Sequence, residues 1–224
     1  FFILLCYRIS ILKFFFYFLS TDGIIKSKRL KRGNSMIGII DYGAGNLHSV
    51  VKAITRLGYQ IKLITKPSEH DDEIEKLILP GVGNAKVAMD VLNETGLSDY
   101  LRAEVDKGTP LLGICLGMQL LLETSEEGNV PCLGFLPGTV PLFGEEAEKV
   151  PHMGWNQVQD VQNHFLFQDI PDNTDFYFVH SYYAQPSIED HIIGVTNYGP
   201  DFACAIGNSQ VMGVQFHPEK SGKY

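Results

Sequence analysis

The sequence predicts an α/β fold with a mostly parallel central sheet, helices on both faces of that sheet, and antiparallel strands in its second half. Short apolar strands alternate with helical patterns between residue 36 and residue 115, which is typical of βαβ units. Beyond residue 175 the apolar segments follow one another without helices between them. The chain has 224 residues, of which 45% are hydrophobic, so it can bury the core of one domain.

In the first half, apolar periodicity defines each element. The helix after the first strand repeats apolar residues from Leu47 to Leu57 at helical spacing, and Gly58 ends it. The Pro-Gly turn within LPGVG ends the third strand. The predicted order is strand 36–41, helix 47–57, strand 59–65, strand 76–83, helices 84–93 and 97–107, and strand 110–114.

The second half is richer in strands. FYFVHSYYA (176–184) and HIIGVTNY (191–198) are predicted strands, and residues 201–216 predict a hairpin that turns near Gly207-Asn208. No internal repeat or linker divides this region, so residues 36–224 are predicted to form one domain.

Three glycine-containing turns, DYGAGN, LPGVG and GICLG, follow predicted parallel strands. Ligands bind beyond the carboxyl ends of such strands, so these turns are expected to meet at one edge of the sheet. A nucleotide site is not predicted there, because His48 stands where a dinucleotide fingerprint starting at Gly43 needs its third glycine, and the sequence has no P-loop motif.

Cys115 lies between a buried strand and a predicted helix that begins at Leu116 and contains Leu120, Leu121 and their apolar neighbours. The pattern Gly113-Ile-Cys-Leu-Gly117 is the thiol form of the G-x-S-x-G nucleophile elbow, in which flanking glycines relieve crowding around a strained nucleophile. The backbone N–H of Leu116 can face an oxyanion, and the start of the helix favours a thiolate. Cys6, Cys132 and Cys204 lack this setting and are predicted to be small hydrophobic residues, without disulfides or a zinc site.

A base for this thiol is predicted at His217. The segment VMGVQF is apolar up to Phe216 and then presents His217-Pro218-Glu219, where proline stops further strand pairing. In an extended segment residues i and i+2 point the same way, so Glu219 can orient the imidazole of His217. We interpret His70, His164 and His191 as surface or structural histidines. Cys115, His217 and Glu219 are therefore the predicted catalytic residues.

The charge distribution separates the N-terminal 35 residues from the rest. They carry seven basic residues against one acid, a net +6, and because the whole chain carries −8, residues 36–224 carry −14. An acidic body excludes a typical nucleic-acid surface. The apolar run 1–19 followed by KSKRLKR suggests either a membrane anchor or translated sequence upstream of Met36, and we favour the second. For the body we expect no membrane association and a cytoplasmic location.

The blocks GICLGMQLLLE and GVQFHPEKS resemble those of the class I (triad) glutamine amidotransferases. With IDYGAGNLHSV, LPGVG, VPHMGWN and YFVHSYYA, the sequence is similar to the glutaminase subunits of imidazole glycerol phosphate synthases, from Met36 to about Ser221. Residues 1–35 match nothing in that family, and relatives usually continue past EKSGKY through a final helix. The resemblance implies a three-layer α/β domain over 36–224, truncated at its C-terminal end.

The resemblance also implies a mechanism and a partner. Cys115 would attack the side-chain amide of glutamine, with oxyanion donors from the backbone of Leu116 and Val82. The implied glutamine-binding residues are Gly81, Gly83, Gln119, Ser181 and Tyr182. Trp155, Asn156 and Lys220 would face a (β/α)₈-barrel cyclase, which uses the ammonia to make imidazole glycerol phosphate and an aminoimidazole carboxamide ribotide. No cofactor and no metal are implied.

Three alternatives stay open. The first is an amidotransferase of the anthranilate or carbamoyl phosphate type; these relatives share the elbow and the His-Pro-Glu segment but are not expected to contain VPHMGWN. A γ-glutamyl peptide hydrolase has the same elbow, although Glu219 in the triad position argues against it. A catalytically inactive binding subunit is disfavoured by the presence of Cys115, His217 and Glu219 together.

Overall fold

The computed structural model describes residues 14, 15, 17–19, 36–43, 45–147 and 149–221. The α-helices of the described part of residues 36–221 are α1 (Leu47–Arg56), α2 (Ala85–Glu94), α3 (Leu97–Asp106) and α4 (Leu116–Gln119). The strands of the first half are β1 (Met36–Ile40), β2 (Gln60–Ile64), β3 (Ile74–Gly81), β4 (Leu111–Cys115), β5 (Thr124–Ser125), β6 (Val130–Pro131) and β7 (Gly138–Val140). Those of the second half are β8 (His152–Asp160), β9 (Thr174–His180), β10 (Gln185–Pro186), β11 (Ile192–Asn197), β12 (Asp201–Gly207) and β13 (Val211–Val214).

Nine strands of the described chain form one mixed sheet in the order β2-β1-β3-β4-β13-β12-β11-β8-β9. Pairing is parallel from β2 through β4 to β13 and antiparallel from β13 to β9. This arrangement confirms the predicted α/β fold, with parallel strands from the first half and antiparallel strands from the second. Strand β13 joins the two halves because it pairs in parallel with β4 and antiparallel with β12.

Helices cover both faces of the sheet, as predicted. Successive side chains of a strand point to opposite faces, so Leu77 and Leu79 of β3 enter one apolar cluster while Ile78 enters the other. The first cluster includes the buried faces of α2 and α3, and the second includes Val50 and Ile54 of α1. The sheet is thereby buried from both sides and can hold side chains rigidly at its edge.

Part of the N-terminal segment lies in the second cluster. Phe14, Phe15, Phe18 and Leu19 are buried there, and the ring of Phe14 packs 5.7 Å from that of Phe216. The interpretation of 1–35 as an anchor or as upstream translation falls mostly on residues outside the described set, as does the truncation expected after Ser221. No helix within the described ranges is both long and apolar enough to cross a membrane.

Three features differ from the sequence prediction. Strands β5, β6, β7 and β10 form a second sheet in the order β10-β7-β5-β6, and each has only two or three residues, too few to produce a periodic pattern. Strand β8 was not predicted, because Gly154 and five polar residues, Asn156 among them, interrupt its apolar alternation. The helix after Cys115 is a single turn, and the leucines that follow it are buried in an irregular segment.

Candidate active site

Cys115 occupies a sharp turn between β4 and α4, with φ 55° and ψ −111°. A positive φ is unusual for a residue with a side chain and marks a strained position. The glycines on either side make the turn possible: a Cβ atom on Gly113 would lie 2.6 Å from the carbonyl oxygen of Gly117, and one on Gly117 would collide with the carbonyl of Leu79. The structure therefore has the geometry of the predicted nucleophile elbow.

The His-Pro-Glu segment reaches Cys115 because β13 pairs directly with β4, Val214 opposite Ile114. The Nδ1 of His217 donates to Oε1 of Glu219 at 2.7 Å, and both side chains are buried. Within the described residues the Nε2 of His217 has no hydrogen-bond partner. The structure thus brings together the predicted thiol, imidazole and carboxylate, with one ring nitrogen left for chemistry.

The pKa of His217 reflects two opposing effects. Burial alone would lower it, but the nearby sulfur of Cys115 and the carboxylate of Glu219 favour the imidazolium and raise the pKa to about 9. At neutral pH the ring then carries a proton on the nitrogen that faces the thiol. Such a ring can serve as a general acid for a departing amine.

Asn46 is a triad contact that sequence reasoning missed. It precedes α1 with φ 78°, and its amide Nδ2 donates to Oε1 of Glu219, the same oxygen that accepts from His217. A buried carboxylate is stabilised by two donors better than by one. Asn46 belongs to the DYGAGN turn, which the sequence predicted to lie at the same sheet edge as the elbow. That prediction placed the turn near the triad but did not single out Asn46.

A pair of glutamines also surrounds the thiol. Gln215 is fully buried, and its Nε2 lies 3.7 Å from the sulfur of Cys115. Gln119 donates from Nε2 to Oε1 of Gln215 at 3.0 Å and to the carbonyl oxygen of Tyr182 at 2.9 Å. Because both amide hydrogens of Gln119 are committed, it can offer a ligand only its acceptor oxygen.

A pocket of about 200 Å³ opens beside Cys115, lined by Val82, Gly83, Cys115, Leu116, Gln119, Glu127, Val179, Ser181 and Tyr182. It contains the predicted oxyanion residues and four of the five predicted glutamine-binding residues. The fifth, Gly81, is the last residue of β3, where a Cβ atom would collide with the hydroxyl of Tyr42.

Glu127 was not predicted, because the polar segment SEEGNV indicates only an exposed loop. Burial raises the pKa of Glu127, and its Oε2 accepts from the backbone N–H of Ala85 at 2.7 Å.

The residues predicted to face a partner lie beside this site. Trp155 is 48% exposed and packs edge-on against Tyr177, and Lys220 is exposed. The carbonyl of Tyr177 accepts from the N–H of His217, and its N–H donates to the hydroxyl of Ser221. These bonds hold β9 beside the segment that contains Lys220. Asn156 points to the other face of β8, where it bonds to His152 and to the carbonyl of Asn197.

Two histidines and two cysteines outside the site behave as the sequence suggested. His70 bonds to the hydroxyl of Tyr100, His164 accepts from the N–H of Leu166, and Cys132 and Cys204 are buried free thiols. In the part of the chain that the structure describes, no group of three or more histidine, cysteine or acidic side chains is placed to hold a metal ion.

Comparisons with known proteins agree with this geometry. Residues 38–224 match the family model described as glutamine amidotransferase class-I. The chain is 51% identical to the imidazole glycerol phosphate synthase subunit HisH of Moorella thermoacetica, over 84% of this chain and 89% of that protein. It is 47% identical to the protein of the same name from Pseudomonas syringae pv. syringae, over 83% and 90%. A crystal structure of a glutamine amidotransferase superposes with a TM-score of 0.67 at 20% identity, over 84% of this chain and 92% of that one.

Proposed function

The chain belongs to the class-I glutamine amidotransferase family, and on that premise we propose that it is the glutaminase subunit of an imidazole glycerol phosphate synthase in histidine biosynthesis. It hydrolyses glutamine to glutamate and passes the ammonia to a cyclase. The observation that carries the proposal is the buried arrangement of Cys115, His217 and Glu219, in which Cys115 lines a pocket. Relatives about half identical to the chain, whose names specify this synthase, favour it over the anthranilate and carbamoyl phosphate types.

The chemistry begins with attack by the thiolate of Cys115 on the side-chain carbonyl carbon of glutamine. The negative charge moves to the oxygen, which the backbone N–H groups of Leu116 and Val82 stabilise. When the tetrahedral intermediate collapses, the C–N bond breaks and Nε2–H of His217 protonates the departing nitrogen. Ammonia and a γ-glutamyl thioester result.

Water completes the cycle. The now neutral His217 accepts a proton from a water molecule, whose oxygen attacks the thioester, and glutamate leaves as the thiolate is restored. Glu219 keeps Nδ1 protonated throughout, so that Nε2 is always the nitrogen that exchanges the proton.

The pocket offers complementary groups for an amino acid. Glu127 supplies a negative charge for the α-ammonium group, and the backbone of Ser181 and Tyr182 supplies donors for the α-carboxylate. Gln119 accepts a hydrogen bond through its free amide oxygen. Val82 and Gly83 line the pocket, and Gly83 has φ 105°, a backbone conformation that glycine adopts without strain.

The partner is a (β/α)₈-barrel cyclase that docks against the surface containing Trp155 and Lys220. We propose that it also activates the glutaminase. The Val82 donor depends on the direction of the Gly81–Val82 peptide, which glycine allows to turn, and a misdirected donor costs about 3–4 kcal/mol of transition-state stabilisation. Partner contacts of similar energy can shift that peptide.

The proposal is tested by measuring glutamate release from the chain alone, with the cyclase, and with the cyclase and its nucleotide substrate. Release should be slow for the chain alone and rise about 10²–10³-fold in the full complex. Equal rates under all three conditions would contradict activation, and no glutamate release under any condition would contradict the glutaminase assignment. An anthranilate-type synthase subunit serves as the control partner and should not stimulate the rate.

A further inference from the structure

Two buried histidines have no role in the mechanism above. His152 in β8 and His180 at the end of β9 are 3% and 7% exposed. The residues are paired in the sheet, and Nδ1 of His152 lies 3.0 Å from Nε2 of His180. Buried polar rings need a hydrogen-bond partner for each nitrogen. Every ring nitrogen of these two histidines has such a partner.

The bonds at the two ends of the pair fix its direction. A carbonyl oxygen only accepts, so Nδ1 of His180 donates to the carbonyl of Tyr182 at 2.8 Å. A neutral His180 then accepts at Nε2, which requires His152 to donate from Nδ1. The Nε2 of His152 is left as an acceptor for the amide Nδ2 of Asn156 at 3.3 Å. Every donor along this chain points from Asn156 towards Tyr182.

Both rings are held neutral and in place. Burial lowers the pKa of His152 to about 4 and that of His180 to about 3. The ring of His152 stacks between those of Phe178 and Tyr198, with centroids 4.8 Å and 3.9 Å away. A neutral ring with fixed neighbours has one tautomer that satisfies both nitrogens, so the chain has one arrangement of protons.

One end of this chain reaches the glutamine pocket. The carbonyl of Tyr182 accepts from both His180 and Gln119, and Gln119 in turn bonds to Gln215, which contacts the sulfur of Cys115. The position of His180 therefore sets the position of a carbonyl that orients Gln119. Each step is a contact between adjacent groups.

The other end lies in the strand that carries the proposed docking surface. Side chains of β8 alternate between faces: Met153 and Trp155 are 62% and 48% exposed on one, and His152 and Asn156 bond within the protein on the other. A partner that binds Met153 and Trp155 therefore contacts the same strand that positions His152 and Asn156, and can displace its backbone.

We propose that His152 and His180 are positioning residues that couple partner binding on β8 to the placement of Tyr182 and Gln119 around glutamine. This inference rests on the proposed function, since it requires a partner that activates the glutaminase. A displacement of β8 changes the bond between His152 and His180. The ring of His180 transmits that change to the carbonyl of Tyr182, which is the acceptor for its Nδ1 proton among the described residues.

The test uses two variants in the complete complex. His152→Phe keeps the ring stacking and removes both hydrogen bonds of residue 152. His180→Asn places an amide near the position of Nδ1, so the bond to Tyr182 can persist while the link to His152 is lost. His164→Phe is the matched control, because His164 is a half-buried ring outside the chain of bonds.

The ratio of glutamate release with the cyclase and its nucleotide to release by the chain alone should fall at least tenfold in both variants. The loss should appear mainly as a higher KM for glutamine in the activated complex. The double variant should lose no more than either single variant, since the two rings act as one unit. Ammonia-dependent synthesis and the affinity for the cyclase should match those of the wild type, as should all values for His164→Phe.

Two results would overturn the proposal at different levels. If the wild type is stimulated and both variants are stimulated within twofold of it, the relay is wrong while the proposed function stands. If the wild type releases glutamate but is not stimulated by the cyclase and its nucleotide, the proposed activation by the cyclase is wrong, and the proposed relay is wrong with it.

A measurement on the wild type removes any dependence on how the variants fold. Long-range ¹H–¹⁵N correlation spectra of ¹⁵N-histidine-labelled protein at pH 6.5 should show His152 and His180 as neutral rings protonated at Nδ1. Free histidine favours the Nε2–H form, so this signature is specific to the chain of bonds. An Nε2–H or doubly protonated ring at either position would refute the assignment.

Discussion

The amide of Asn46 and the imidazole of His217 donate to the same oxygen of Glu219, although Asn46 lies 173 residues from Glu219 in the chain. The shared acceptor fixes the carboxylate, and the carboxylate fixes the ring. The turn before α1 is therefore joined to the proposed catalytic base, and the strength of that contact can be measured.

Replacing Asn46 with glycine should slow glutamine hydrolysis by the activated complex by about 10–100-fold. The substitution removes one hydrogen bond to a charged group, worth about 1.5–3 kcal/mol. Glycine accepts the φ of 78° without strain, so the backbone should stay in place. Asn129→Gly is the control, since Asn129 also has a positive φ but lies in a turn that does not contact the triad. Equal kcat values for the two variants would count against the role of Asn46.

The pH dependence of hydrolysis should report on His217. Its pKa is raised to about 9, so the ring keeps its proton, and can act as an acid, at any lower pH. We expect kcat/KM for glutamine to fall as the pH rises through about 9. Because the Glu219 carboxylate contributes to the raised pKa, Glu219→Gln should move this alkaline limb to lower pH. A limb that does not move in this variant would show that His217 is not the group observed.

Cys115→Ala should remove glutamine hydrolysis, with a loss of about 10⁴-fold or more, because the nucleophile and its base act jointly. The complex should still make its products from added ammonia, since only the glutaminase half requires the thiol. Cys132→Ala is the matched control: Cys132 is also a buried thiol, and burial raises its pKa to about 11. Glutaminase activity of Cys115→Ala above a few per cent of wild type would disprove the assignment of the nucleophile.

Gly117→Ala should destabilise the protein by about 3 kcal/mol, at the upper end of overpacking effects, because its Cβ would collide with the carbonyl of Leu79. Gly134→Ala is the comparison, since Gly134 has a φ of 68° but open space around it and should lose only about 1–2 kcal/mol. Urea unfolding should be followed by far-UV circular dichroism, because Trp155 is half exposed and a weak reporter of the core. Similar losses in the two variants would mean that crowding at the elbow is not what requires Gly117.

Local patterns predicted much of the fold because they act within one element. The alternation of Leu77, Ile78 and Leu79 determines which face of β3 each side chain covers, whatever the neighbours are. Gly113 predicted the elbow from local crowding, because a Cβ atom there would meet the carbonyl of Gly117 four residues later, whereas the crowding at Gly117 comes from Leu79 of β3. His217 and Glu219 are two residues apart and form the predicted bond, but not through the extended backbone that the sequence suggested. Residues 218–220 form a turn, in which the N–H of Lys220 donates to the carbonyl of His217.

The sequence by itself determined the α/β alternation, the elbow and the His-Glu pair, each of which depends on contacts between near neighbours in the chain. The tertiary structure alone decided which distant groups meet: Asn46 at Glu219, Gln215 at Cys115, Glu127 in the pocket, and His152 against His180. The physical reason is strand order. Placing β13 beside β4 and β8 beside β9 sets these distances, and that order results from packing over the whole sheet, which no local periodicity encodes.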